Sequence, residues 1–181
     1  MTDDQLQQLT AHFDNQFIKL LERMETNSAT AATRTTVAER ELRELVAERV
    51  AAVHTGDAAT LAARPADDVI TFDVLPPLNS QGSSAVAEHM RQWFDSYDGH
   101  IGYDVHQLHV SAEGDLGFCT FLYNVRGTLK TGDVVDMWVR ATLGCRRIDG
   151  TWRIVHDHES VPFDPATGRA EISLRPQHTE G

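Results

Sequence analysis

Apolar residues recur at helical spacing in the first third of the chain and alternate singly in its second half. Leu6, Leu9, Phe13, Phe17, Leu20, Leu21 and Met24 predict a helix over 2–25, with Thr2 and Gln5 at capping-box spacing. Its stripe needs a partner surface, either its own domain or a sister subunit, or it forms a lid. Thr26 to Thr36, rich in Ala, Thr and Ser, reads as a linker. A second capping box, Thr36 to Glu39, opens a helix to about His54 that buries Leu42, Leu45, Val46, Val50 and Val53. Gly56 ends it, and Asp57 caps a short helix through Leu61.

Asp67 to Leu75 alternates as a strand, closed by Pro76-Pro77. A third helix spans about Ser83 to Tyr97 on the stripe Val86, Met90, Trp93 and Phe94. Four long strands follow, about 101–110, 116–129, 133–147 and 152–162, separated by turns at Glu113-Gly114, Thr131-Gly132 and Asp149-Gly150. Helices followed by an antiparallel meander make an α+β pattern. The expected division is a helix and linker over 1–35, a domain over 36–164 and a surface tail over 165–181.

Charge narrows the partners. The 181 residues carry a formal charge of −11, with no basic stripe, which argues against nucleic acid or an anionic membrane. Cys119 and Cys145 sit far apart in apolar runs and read as free buried thiols. With no apolar signal core and no run near membrane-span length, a cytoplasmic protein is expected.

The final strand carries the candidate chemistry. Strict alternation puts Trp152, Ile154, His156, His158 and Ser160 on one side. A two-residue Asp149-Gly150 loop pairs Leu143 with His156 and Ala141 with His158. A three-residue loop with a bulged Gly pairs Thr142 with His156, Arg140 with His158 and Trp138 with Ser160. The second register gathers Asp136, Trp138, Arg140, Thr142, His156, His158 and Ser160 on a polar inner face, opposite an apolar outer face suited to dimerisation. It is the preferred one. Asp157 and Glu159 then point away. Arg140 with His156 and His158 is either a charge-stabilising and proton-relay set or a satisfied buried network.

The Gly150…His156-x-His158 spacing opens like a cupin metal motif, but Pro162 and Phe163 stand where a Glu is needed. His-x-His with Asp73 or Asp136 is the remaining metal arrangement, and no metal is expected. His100, His106 and His109 have no regular ligand spacing. Neither a Gly-rich phosphate loop nor a nucleophile elbow is present.

Three stretches, HTGDAATLAARPADDVITFDVLPPL, WFDSYDG and RRIDGTWRIVHDHESVPF, resemble the nuclear transport factor 2-like superfamily in its SnoaL-like and ketosteroid-isomerase-like branch. The last stretch is also similar to the final strand of the calcium/calmodulin-dependent kinase association domain. The resemblance covers about residues 36–164. It implies a cone-shaped curved sheet wrapped around about three helices, a deep pocket and a homodimer through the sheet, with N-terminal helix contacts added by this chain's extra helix.

The resemblance also implies that Asp73, near the end of the first strand, is a general base. Tyr103 or Tyr123 would lend a phenol to a developing oxyanion, and Phe72, Trp93, Phe121 and Trp138 would wall the pocket. The expected function is cofactor-independent acid–base chemistry on a small apolar carbonyl compound or secondary metabolite, of isomerase, cyclase or dehydratase type. The catalytic set is Asp73, Arg140, His156 and His158, with Asp136, Tyr103 and Ser160 contacting substrate. A non-catalytic ligand-binding or association module is the competing expectation.

Overall fold

The computed structural model describes residues 3–177, and the side chains of 16–177. Thr2 and the side chains of Leu6, Leu9 and Phe13 lie outside the described set. The chain divides into two compact units, 1–37 and 38–181.

The two helices expected over 2–54 are one helix, α1 (Asp3–Thr55). The expected linker is helical. From Met1 to Thr55 there is neither Gly nor Pro, and Ala29, Ala31 and Ala32 carry no penalty in a helix. The threonines do not break it either, because their hydroxyls donate to carbonyls one turn back. Thr26 bonds Glu22 O at 2.8 Å, Thr30 bonds Thr26 O at 2.8 Å and Thr33 bonds Ala29 O at 2.9 Å. In the first unit Phe17, Ile18, Leu20, Leu21 and Met24 are exposed.

In the second unit the end of α1, from Ala38 on, buries Ala38, Leu42, Leu45, Val46, Ala52 and Val53. Gly56 stops it in a left-handed turn at φ 69°. Asp57 caps α2 (Ala58–Ala62), accepting from Thr60 N at 3.0 Å. Strand β1 (Pro65–Phe72) leads through a short β2 (Ser80–Gln81) to α3 (Ser83–Ser96). The meander is β3 (Gly102–Glu113), β4 (Leu116–Thr128), β5 (Val134–Ile148) and β6 (Thr151–Ser160). Together they make a six-stranded sheet of order β2-β1-β6-β5-β4-β3, with β1 running parallel to β6. The α+β expectation holds, and the strand boundaries fall within a few residues of the reading; the two-residue β2 was missed.

The helices cover the face of the sheet that carries Tyr103, Phe121, Val139, Leu143 and Ile154, all buried. Glu41 of α1 clamps the β5–β6 hairpin, accepting from Trp152 Nε1 at 2.9 Å and from Arg147. The Arg147 guanidinium lies 4.6 Å from the Trp152 ring centroid. The tail is draped along β5. Trp138 N donates to Ile172 O at 3.3 Å, and Arg175 bonds Asp136 at 2.8 Å. Among the described residues no helix is long and apolar enough to cross a membrane.

Candidate functional site

The β5–β6 hairpin follows neither expected register. Its loop has the two residues Asp149 and Gly150, with Ile148 opposite Thr151, but a bulge follows four residue pairs from the loop. Cys145 pairs with Ile154 and Gly144 with His156, so Val155 is the extra residue. A bulge shifts every later side chain to the opposite face. Trp152 and Ile154 face inward, and beyond the bulge Asp157 and Glu159 do, both buried.

His156, His158 and Ser160 therefore lie on the outer face, beside Gly144, Thr142 and Arg140. Asp136 and Trp138 share that face. Asp136 bonds Asn124 and Arg175, and Trp138 packs on His106 at 5.0 Å. Phe72 is there too, edge-on to His156 at 5.0 Å and to His158 at 5.7 Å. Arg140 and His158 do share a face, as expected, but it is the outer one. The polar and apolar faces are exchanged: Val139, Ala141 and Leu143 point into the core. Phe121 is buried in that core at 6.2 Å from Tyr123.

Inside the sheet lies a pocket with a cavity volume of about 50 Å³. That is room for three or four waters, or for the reactive end of a small ligand. Helix α1 gives it Arg49 and Val53, and α2 gives Leu61. Asp73, Val74 and Leu75 come from the segment after β1, and His89, Met90 and Trp93 from α3. The strands add Tyr103, Tyr123, Val125, Met137 and Glu159. Of the expected residues, Asp73, Trp93, Tyr103 and Tyr123 meet here.

Arg49 is the centre of the floor. Its Nη1 lies 2.7 Å from Asp157 Oδ2 and its Nη2 lies 2.7 Å from Glu159 Oε1. Tyr123 donates to Glu159 Oε2 at 2.8 Å. Two buried carboxylates thus share one guanidinium. Burial and the neighbouring Asp157 charge push the Glu159 carboxyl up to about 8, against the pull of Arg49. Burial disfavours charge on Arg49, but the adjoining Asp157 and Glu159 carboxyl groups outweigh it and hold the guanidinium protonated well above its ordinary range.

Tyr103 is 2% exposed and stacks on Tyr123 with ring centroids 4.5 Å apart. Its hydroxyl is buried without a hydrogen-bond partner, and so is Asp157 Oδ1. Burial raises the Tyr103 phenol well above its ordinary range, although the nearby Arg49 charge opposes this, so the group stays a neutral donor. At the other side Asp73 accepts from Leu75 N at 2.9 Å, and its Oδ2 lies 3.8 Å from His89 Nδ1.

Arg49, Asp157, Glu159 and His89 were missed as site residues. Arg49 falls on the stripe Leu42, Leu45, Val46, Val53, and His89 falls on the stripe Val86, Met90, Trp93. A charged or titratable residue inside an apolar stripe was the signal available for both. Nothing local announces the bulge at Val155. Among the described residues no group of three or more His, Cys, Asp or Glu is placed to hold a metal ion.

The comparisons agree with this architecture. The SnoaL-like domain matches residues 42–164. An NTF2-like protein of unknown function from Pseudomonas putida KT2440 is 33% identical, with TM-score 0.72 over 78% of this chain and 99% of that one. At the level of fold alone, an NTF2-like superfamily protein from Salmonella enterica serovar Typhimurium LT2 is similar at 16% identity and TM-score 0.65, over 75% and 98% of the two chains. A ketosteroid isomerase-like protein from Erwinia carotovora atroseptica SCRI1043 gives 18% identity and TM-score 0.59, over 67% and 94%. No protein of curated function matches the sequence. A SnoaL-like match over most of the chain, a one-third-identical NTF2-like relative and a helix-covered six-stranded sheet together make this chain a member of the SnoaL-like family of the NTF2-like superfamily.

Proposed function

We propose that the domain is a pocket enzyme performing cofactor-independent acid–base chemistry on a small, largely apolar carbonyl compound such as a secondary metabolite. One observation carries this reading. Asp73 and Tyr103, whose buried hydroxyl has no hydrogen-bond partner, are both lining residues of the same apolar-walled pocket. Asp73 takes a proton from the carbon next to the carbonyl, and His89 beside it orients the carboxylate or passes the proton on. The Tyr103 phenol donates to the carbonyl oxygen as negative charge develops there. Met90, Trp93 and Met137 exclude water and hold the apolar body. Isomerase, cyclase and dehydratase reactions all begin with such a proton transfer. Arg140, His156 and His158, on the outer face, have no part in this chemistry.

The test uses 5-nitrobenzisoxazole, an apolar probe whose ring opens when a carboxylate removes one proton. The account expects turnover above the solution rate, lowered about 100-fold in Asp73→Asn and unchanged in His156→Ala and His158→Ala. Full activity in a folded Asp73→Asn protein would overturn it.

The exposed row Phe17, Leu20, Leu21 and Met24 favours a second role in self-association. Light scattering on Phe17→Glu/Leu21→Glu checks this: a smaller oligomer supports an assembly helix, and an unchanged size rules it out.

A further inference from the structure

We propose that the pocket is built for a ligand bearing a basic nitrogen, a small amine with an apolar body, and that it rejects carboxylates and phosphates. The inference rests on the pocket reading above and names its substrate class more closely.

The charges around the pocket are unbalanced in one direction. Asp73, Asp157 and Glu159, with His89, line one small cavity that adjoins the main pocket through Asp73, His89, Met90 and Glu159. Arg49 is the one Lys or Arg among the described residues lining the main pocket. Both of its terminal nitrogens are already engaged, at 2.7 Å each, by Asp157 and Glu159. His89 faces Asp73. An incoming anion therefore meets three carboxyl groups and no uncommitted cation.

A cation meets the opposite situation. Asp157, 8% exposed and a lining residue of that small cavity, keeps its Oδ1 buried without a partner. An acceptor left unsatisfied in this way costs free energy until a donor arrives. Three aromatic residues, Trp93, Tyr103 and Tyr123, are among the pocket's lining and suit an ammonium's apolar and cationic parts together.

Proton balance supplies the signature. Burial keeps a proton on Glu159 near neutral pH. An ammonium entering beside it favours the ionised form, so that proton leaves to solvent. A neutral ligand of the same shape releases none.

Benzylamine, benzyl alcohol and benzoate separate these cases by titration calorimetry at pH 7 in two buffers of different ionisation enthalpy. The expected result is benzylamine binding about tenfold tighter than benzyl alcohol with net proton release, and benzoate weakest of the three. The benzylamine preference shrinks in Asp73→Asn and in Asp157→Asn. Benzoate binding as tightly as the alcohol, or the amine binding no tighter than the alcohol, overturns the charge preference and leaves the pocket reading intact. Failure of all three to bind overturns both.

Discussion

Arg49 reaches from helix α1 to meet Glu159 of the last strand at 2.7 Å, while its other terminal nitrogen holds Asp157 at the same distance. One guanidinium thus ties the helix to the sheet and forms the floor of the pocket. Both roles depend on the Val155 bulge, because without it the two carboxylates would face the other side of the sheet.

Removing the guanidinium takes the ion-pair partner from buried Asp157 and leaves Glu159 with the Tyr123 hydroxyl. Arg49→Met should cost about 3–5 kcal/mol of stability. Arg49→Lys recovers only part of it, since an ammonium cannot fork to both partners. The combined Arg49→Met/Asp157→Asn/Glu159→Gln variant removes the charges together and should be more stable than Arg49→Met alone. Urea unfolding measures all three, and a loss under about 1 kcal/mol for Arg49→Met would show that the pairing contributes little.

Stability should fall as pH rises toward 8. The Glu159 carboxyl stands at about 8 in the folded protein against an ordinary 4.5. Between those values the folded state holds a proton that the unfolded state has released. The contribution is therefore complete below about pH 4.5 and lost as pH climbs through 8, with a slope of at most about 1.4 kcal/mol per pH unit. Denaturant midpoints from pH 5 to 9 should show this decline, and Glu159→Gln should flatten it. Equal slopes in the two proteins would assign the titration elsewhere.

Tyr103→Phe should separate folding from function. The change removes a buried hydroxyl without a partner and keeps the ring stacked on Tyr123. Stability should stay level or rise by up to about 1 kcal/mol, while proton-transfer turnover falls about 100-fold. A clear loss of stability would mean that the hydroxyl is satisfied in solution and serves the fold.

Much of the fold was legible because it is written in local periodicity. The four long strands and their Gly turns were placed within a few residues, and α3 within one. The merged α1 was misread because Ala, Thr and Ser resemble linker composition, although neither Gly nor Pro interrupts them. The pocket lining was legible only where a residue sits beside a local signal, as Asp73 does at its strand end. His156 and His158 were assigned to the pocket by strict alternation, and one extra residue, Val155, reverses that assignment. A bulge is set by how two strands pair across the sheet, which the strand's own sequence does not encode. Arg49 and Glu159 lie 110 positions apart, and only the folded helix on the folded sheet brings them together.

We place the working pocket on the inner face, around Asp73, His89 and Tyr103, and not along the outer His156–His158 strand. Histidine-resolved NMR during titration with benzyl alcohol tests this placement most directly. The His89 ring resonances should shift with saturation while those of His156 and His158 stay in place. Shifts confined to His156 and His158, with His89 unmoved, would contradict it.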